Sequence, residues 1–258
     1  MREQYGDAGR LDARVAIYER FSTSRESWPE WLLARFALGP GERVLDAGAG
    51  SGRLWRESAR SLPEGARVVL ADLSPAMLGE ARARLAGSAA SAPGLVAARI
   101  ERLPLAEASF DVVVASHVLY HVQDRVAALR ELRRVLRPGG RLFVATNEST
   151  HLRELRGLVD RFGLVEARLM VGRDPSFFDL DRAAEEVAAQ LGPPRVHRRR
   201  DVLRVTEAGP LVAYVRSLLP AGVRERELAE LAGWVEGEIA REGSIALGVA
   251  VGAVEVAR

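Results

Sequence analysis

Apolar residues recur along this chain in two rhythms. Between Arg43 and Asn147, short unbroken apolar runs alternate with segments of helical period, the pattern of strands buried on both faces and of the helices that cover them. The runs predict strands at 43–47, 67–72, 95–100, 110–116 and 141–146, with helices near 53–61, 75–86 and 124–136 between them. Ser74-Pro75 reads as an N-cap followed by proline at the first helical position, and Arg137-Pro138-Gly139-Gly140 as the turn that closes the last of these helices. Farther on, 195–205 alternates in part and predicts a sixth strand. Residues 209–218 and 224–241 predict helices, and 245–256 predicts a final strand.

Outside this alternation lie two helical regions. Leu11, Val15 and Tyr18 share one helical spacing, and Trp28, Trp31, Leu32 and Phe36 another, with Ser27 and Pro29 opening the second helix. Residues 1–40 are therefore expected to cover an edge of the sheet or to close as a lid, with Tyr5, Arg14 and Phe21 placed to reach inward. Over 148–195 the rhythm breaks, and helix-like segments at 151–159 and 181–191 flank Gly172 to Phe178. An excursion after the fifth strand leaves the sheet at its ligand-binding edge, so this segment is expected to cap an acceptor. Met170, Phe177 and Phe178 would then either wall an apolar pocket or form local core. The expected organisation is an N-terminal helical lid at 1–40, a binding core at 41–147, a cap insertion at 148–195 and the C-terminal part of the core at 196–258.

Composition narrows the function classes. The 37 basic residues, all arginine, nearly balance 35 acidic ones, so a pI near 9.5 does not by itself imply a nucleic-acid partner. Arg195, Arg198, Arg199 and Arg200 form a basic cluster, but no aromatic residue interleaves it to stack bases, and a solvated strand edge is the expected reading. The absence of cysteine removes disulfides, thiolate metal sites and cysteine nucleophiles and agrees with a reducing compartment. The N-terminal residues are too polar for a signal peptide, and the longest apolar run, Ile245 to Val254, is too short to span a membrane. A soluble, cytoplasmic protein is expected.

The candidate chemistry centres on Val44-Leu45-Asp46-Ala47-Gly48-Ala49-Gly50-Ser51-Gly52, where a strand runs into alternating glycines at a strand-to-helix junction. Such a turn seats a small ligand against bare backbone, or simply makes a tight connection. The second strand ends at Asp72, 22 positions after Gly50, the spacing at which a carboxylate accepts the hydroxyls of a ribose bound across the first turn. Leu73 beside it would offer an apolar side chain to an adenine face. A nicotinamide dehydrogenase also uses a glycine-rich first turn, but it spaces its last two glycines three apart to admit a pyrophosphate. Here the glycines fall at every second position, and Asp46 ahead of them favours a cationic ligand over a phosphate.

These residues resemble the class I S-adenosylmethionine-dependent methyltransferases, in the branch that includes quinone-biosynthesis and many small-molecule enzymes. The likeness runs from Val44–Gly52 through Val68–Leu78, Leu103-Pro104-Leu105 and Ser109–His121 to Glu131–Gly140. It implies a Rossmann-like α/β fold, a seven-stranded and mostly parallel sheet with helices on both faces and an antiparallel last strand. It also implies S-adenosylmethionine as cofactor. By the same resemblance Asp46, Ala47, Gly48, Gly50 and Gly52 line the methionine end, Asp72 holds the ribose, Leu73 and Met77 flank the adenine, and the main chain at Ser116 meets the methionine amino group. Many relatives place an aspartate where Arg99 stands here. An arginine cannot accept from the adenine amino group, so adenine would be held by the main chain of Ile100 and the side chain of Glu101, or from its other edge.

His117 and His121 lie four apart at the carboxyl end of the fourth strand, with Tyr120 between them. On a helix they would share one face and serve as packed core, as a general base or substrate binder, or as a metal pair, for which no third ligand is apparent. The expected reaction is methyl transfer to a small-molecule acceptor, with His121 the first candidate base, then His117, and Tyr120 a positioner. The alternatives are an RNA or protein methyltransferase, a non-catalytic S-adenosylmethionine-binding regulator and, more remotely, a dehydrogenase.

Overall fold

A computed structural model of the chain describes residues 8–56, 62–86, 93–164, 166–167 and 178–258. The helices are α1 (Ala8–Phe21), α2 (Trp28–Phe36), α3 (Arg53–Arg56), α4 (Pro75–Leu85), α5 (Arg125–Val135), α6 (Arg153–Arg161), α7 (Leu180–Leu191), α8 (Ala208–Ser217) and α9 (Glu225–Glu242). The strands are β1 (Arg43–Ala47), β2 (Arg67–Asp72), β3 (Gly94–Ala97), β4 (Phe110–Ser116), β5 (Leu136–Asn147), β6 (Arg195–Val205) and β7 (Ile245–Ala257). They form one seven-stranded sheet in the order β3-β2-β1-β4-β5-β7-β6. β1 to β5 are parallel to one another, and β7 runs antiparallel to β5, with Asn147 opposite Val251 and Leu142 opposite Val256. The expected Rossmann-like architecture with a reversed last strand is the one observed.

Why the central strands read as unbroken apolar runs is visible in the two layers they fill. On one face Leu45, Ala47, Val113, Ala115, Leu142 and Val144 pack with α5 (Ala128, Leu129, Leu132) and α7 (Leu180, Ala183, Val187). Their period-2 neighbours Val44, Val112, Val114, Phe143 and Ala145 meet α2 (Trp31, Leu32, Phe36) and α4 (Leu78, Ala81, Leu85) on the other. α2 is held at its start by a capping box, in which the Ser27 side chain accepts from Glu30 N–H and the Glu30 carboxylate accepts from Ser27 N–H.

Several expectations are corrected. β3 is short and ends at Ala97, three residues before the predicted limit, and Arg99 instead bridges to Arg102. The Arg137–Gly140 segment is not a loop outside the sheet: α5 passes directly into β5 at Leu136, and a register shift between Phe110 and Val112 absorbs the extra residues. Gly139 N–H donates to Arg258 O and Arg258 N–H to Gly140 O, so pairing with the C-terminal residue draws the segment into the sheet as a bulge, with Gly139 at φ +76°. The predicted helix at 53–61 is described only over its first turn, and its residues 57–61 lie outside the described residues, as do Tyr5, Met170 and Phe177. Phe178 is fully buried in the layer beneath α7, with Arg125 over its ring at 5.0 Å. It is core, and α7 is a sheet-covering helix.

The chain divides into two compact units. One comprises Glu26–Glu148, Phe178–Arg198 and Val251–Arg258; the other comprises Met1–Arg25, Ser149–Phe177 and Arg199–Ala250. α1 and α2 therefore fall in different units. Within the second unit, Arg14 donates to Ser217 Oγ and to Ser217 O, both at 3.1 Å, and Phe21 is buried. Tyr18 Oη lies 3.1 Å from His151 Nε2. Ala250 N–H donates to His151 Nδ1 at 3.2 Å, so the imidazole proton belongs on Nε2, facing Tyr18.

Candidate active site

The sheet order makes β1 and β4 neighbours, yet the chain leaves β1 toward β2 and leaves β4 toward β5. The loops after the two strands diverge, which opens a crevice at their carboxyl ends. The glycine turn 48–52 forms one wall. Gly48 sits at φ +84°, and a Cβ there would fall 2.6 Å from Val118 Cβ, so its bareness is used by a side chain of the protein. A Cβ on Gly52 would press on Ala81 of α4. Gly50, at φ +54°, has nothing within 4 Å of that position: of the three, it is the one that faces open space.

Four of the five N–H groups of this turn are already spent. Gly48 and Ala49 N–H both donate to Ala71 O, Gly52 N–H donates to Ala49 O, and Gly50 N–H donates to Asp72 Oδ2 at 2.8 Å. A phosphate-binding turn points several free N–H groups at its anion. This turn instead presents carboxylates. Asp72 also accepts Ser74 N–H on Oδ1 at 2.8 Å, while Ser74 Oγ caps α4 by accepting from Met77 N–H. Asp72 is thereby pinned between the glycine turn and the start of α4, each oxygen retaining a lone pair for a hydroxyl donor. Beside it, Leu73 is 63 % exposed, whereas Met77 is buried on α4.

Asp46 is only 2 % exposed. Its Oδ2 accepts from the indole N–H of Trp55 at 2.8 Å, and its Oδ1 has no hydrogen-bond partner among the described residues. Burial raises its pKa from 3.8 to about 7; the Trp55 bond opposes the rise and the Asp72 charge adds to it. Ser51, also 2 % exposed, has an Oγ without a partner among the described residues. Two buried oxygens left bare, one at the end of β1 and one in the turn that follows it, are an expensive arrangement unless a polar ligand completes it. Ser51 and Trp55 were not singled out by sequence pattern. A hydroxyl and an indole inside a glycine turn and its first helical turn are the only signals that could have pointed to them.

At the end of β3, Ala98 N–H donates to Asp72 O. Ile100 turns its side chain into the core, which leaves its main chain for a ligand. The Glu101 carboxylate is 2.8 Å from the Arg99 guanidinium. An adenine acceptor at Glu101 would be shared with that arginine.

Across the crevice, Ser116 ends β4 half-buried, and His117 N–H donates to Ala145 O. His117 adopts φ +54°, rare for a residue with a Cβ, and His121 closes a single 3₁₀ turn, Leu119–His121. The two histidines therefore do not share a helical face. The His117 ring packs edge-on to Trp28 at 5.5 Å, and burial, then the neighbouring His121, lowers its pKa from 6.5 to about 4. Part of the residue remains accessible, but the ring's own surroundings keep it neutral. Tyr120 lies edge-on to His121, ring centroids 4.3 Å apart. Among the described residues no group of three or more His, Asp or Glu side chains is placed to hold a metal.

Residues 45–144 match the family described as methyltransferase domain. The matched segment covers the sheet from β1 to most of β5 and contains the glycine turn, Asp72 and the β4 end. Over 151 residues the chain is 38 % identical to the malonyl-[acyl-carrier protein] O-methyltransferase of Serratia marcescens, a match covering 57 % of this chain and 52 % of that protein. Over 136 residues it is 35 % identical to the ubiquinone/menaquinone biosynthesis C-methyltransferase UbiE of Vibrio cholerae, covering 52 % of each. The chain spans about half the length of these curated relatives. The crystal structure of a SAM-dependent methyltransferase from Aquifex aeolicus superposes with a TM-score of 0.52 at 18 % identity, covering 71 % of this chain and 89 % of that one.

The arginine cluster is dispersed around its strand. Arg198 pairs with Asp181 at 2.5 Å and with Glu148 at 3.1 Å, while Arg199 is buried beside Asp201. No helix among the described residues is long and apolar enough to cross a membrane.

Proposed function

We propose that this chain transfers the methyl group of S-adenosylmethionine to a small-molecule acceptor. One observation carries the reading: the crevice at the switch point is lined by a glycine turn with four of its five N–H groups spent and a buried, half-partnered Asp46, a lining suited to a cation and poor for a pyrophosphate. Asp46 and the open face at Gly50 would take the methionine end, with Ala47, Gly48, Gly52 and the Ser116 main chain shaping that side. Asp72 would accept from the ribose, Leu73 would cover the adenine, and the main chain of Ile100 and the Glu101 carboxylate would meet its edge. Met77, buried on α4, supports that wall from behind.

S-adenosylmethionine supplies a methyl group already activated by its sulfonium. The chain's task is to orient acceptor and donor and to exclude water, effects worth about 7–11 kcal/mol in well-oriented reactions. His121, at the mouth of the β4 end beside Tyr120, is the residue assigned to take a proton from an acceptor that must lose one. His117 is the weaker base because its surroundings disfavour the imidazolium. Pairing of Arg198 with acidic side chains and burial of Arg199 argue against an RNA track. The two curated relatives are named for methylation at oxygen and at carbon, so the acceptor atom is not assigned. Calorimetric titration with S-adenosylhomocysteine and NAD, then turnover against a panel of hydroxylated, carboxylated and quinol-like acceptors, tests the proposal. Saturable binding of the first ligand alone, followed by methylation of a panel member, is expected. NAD binding, or donor binding with no turnover on any acceptor class, would overturn it in favour of a dehydrogenase or a regulator.

A further inference from the structure

Asp46 and Trp55 form a pair that the general site does not require. Asp46 projects from β1 on the same side as Val44, into the layer that holds Phe36 and Trp55. Trp55 is 2 % exposed, with its ring 6.3 Å from that of Phe36. An indole has one polar hydrogen and no acceptor, and here that hydrogen is committed to Asp46 Oδ2 at 2.8 Å. A carboxylate fixed through one oxygen has its plane set, and only the other oxygen is left to bind. That oxygen, Oδ1, is buried and bare among the described residues.

Among the described residues, the groups around the pair offer no compensating cation. In register with Asp46, β2 places Leu70 and β4 places Val114, both apolar, and α3 contributes Trp55. The charged group that bears on Asp46 is Asp72 at the end of β2, which opposes its ionisation. An anion in this position is costly until a positive charge arrives, and the indole N–H is the hydrogen-bond donor among the described residues that favours it beforehand.

We propose that Trp55 is a positioning residue for the methyl donor: by holding Asp46 Oδ2 it leaves Oδ1 as the acceptor for the donor's α-ammonium group, and it helps the carboxyl release its proton to solvent as that group binds. This rests on the assignment of Asp46 to the donor site.

The test uses S-adenosylhomocysteine and 5′-methylthioadenosine, which shares the adenosine and thioether but lacks the amino acid. In the wild-type chain, S-adenosylhomocysteine affinity should rise about tenfold between pH 6 and pH 8. Calorimetry in buffers of different ionisation enthalpy should detect proton release, while 5′-methylthioadenosine affinity stays level. Trp55→Phe should move the inflection to higher pH and weaken S-adenosylhomocysteine about tenfold at pH 7. Its effect on 5′-methylthioadenosine should be less than about twofold. Equal weakening of both ligands, or an unmoved inflection, would mean that Trp55 only fills the core, and the proposal fails. If Trp55→Phe does not fold, a flat wild-type profile with no proton release overturns it equally. Asp46→Asn separates the two levels: unchanged S-adenosylhomocysteine affinity in that variant would remove Asp46 itself from the donor site.

Discussion

Substituting alanine at Gly48 and at Gly50 should have opposite consequences, although the two glycines lie two residues apart in the same turn. Both occupy the left-handed region, φ +84° and +54°, where a Cβ costs about 1–2 kcal/mol. At Gly48 the new methyl would stand 2.6 Å from Val118 Cβ, about 1 Å inside the ordinary carbon–carbon separation of about 3.5–4.0 Å. Relieving that overlap costs a further ~1–3 kcal/mol of overpacking, for a total of about 2–5 kcal/mol. With each kcal/mol worth about 2–4 °C in a domain of this size, Gly48→Ala should lower Tm by roughly 4–20 °C. At Gly50 nothing lies within 4 Å, so the strain stands alone and the fall should be a few degrees. The Gly50 methyl would instead intrude on the proposed donor space, and S-adenosylhomocysteine affinity should drop at least about tenfold, the effect of losing one or two kcal/mol of contact. Scanning calorimetry and isothermal titration on the two variants give the comparison, and Val118→Ala added to Gly48→Ala should recover part of the lost stability. Equal Tm losses, or Gly50→Ala binding as tightly as the wild type, would refute the division of roles between the glycines.

Asp46→Asn should stabilise the ligand-free chain at pH 8. The native carboxyl titrates at about 7 against 3.8 when unfolded, so its ionisation costs up to about 4 kcal/mol of stability, accruing between pH 4 and 7. The Tm gain should therefore shrink as pH falls through 7 and vanish near pH 4; a variant no more stable at pH 8 would show that the carboxyl is not desolvated. His117 acts with the opposite sign: its native pKa of about 4, against 6.5 unfolded, removes up to about 3 kcal/mol as pH falls from 6.5 to 4. His117→Asn, a residue that tolerates the left-handed backbone, should gain stability relative to the wild type at pH 4.5 but not at pH 8. A pH-independent difference would return His117 to an ordinary solvated environment. His121→Ala should lower kcat while leaving S-adenosylhomocysteine affinity within about twofold, and equal losses in both would place His121 in the donor site and not at the acceptor.

The sheet was legible because both of its faces are buried. Val112, Val113 and Val114 read as a strand whichever layer each one enters, and β1, β2, β4 and β6 begin and end where the apolar pattern does. Caps were legible for a local reason: Ser27 and Ser74 bond to groups three residues away. What could not be read depends on partners distant in the chain. Pro138, Gly139 and Gly140 have turn chemistry, but Arg258, more than a hundred residues later, draws them into the sheet. Phe178 sits where an insertion would expose it, yet α7 folds back and buries it. Within the site, Asp46 and Asp72 stood out by charge and spacing. Trp55 did not, because its role rests on one buried N–H aimed at a residue nine positions back. The left-handed His117 was likewise invisible, since no local residue pattern marks its φ of +54° and its ring neighbour Trp28 belongs to another element.

The central claim is that Asp72, held by Gly50 N–H and Ser74 N–H, completes a donor site at the β1–β4 switch point. Isothermal titration of S-adenosylhomocysteine into the wild type and Asp72→Ala tests it most directly. The wild type should bind saturably, and the variant should lose about 1–3 kcal/mol of binding, the scale of hydrogen bonds to a charged group, with 5′-methylthioadenosine weakened in parallel because it carries the same ribose. Equal affinity in the two proteins, or no saturable binding by the wild type, would contradict the account.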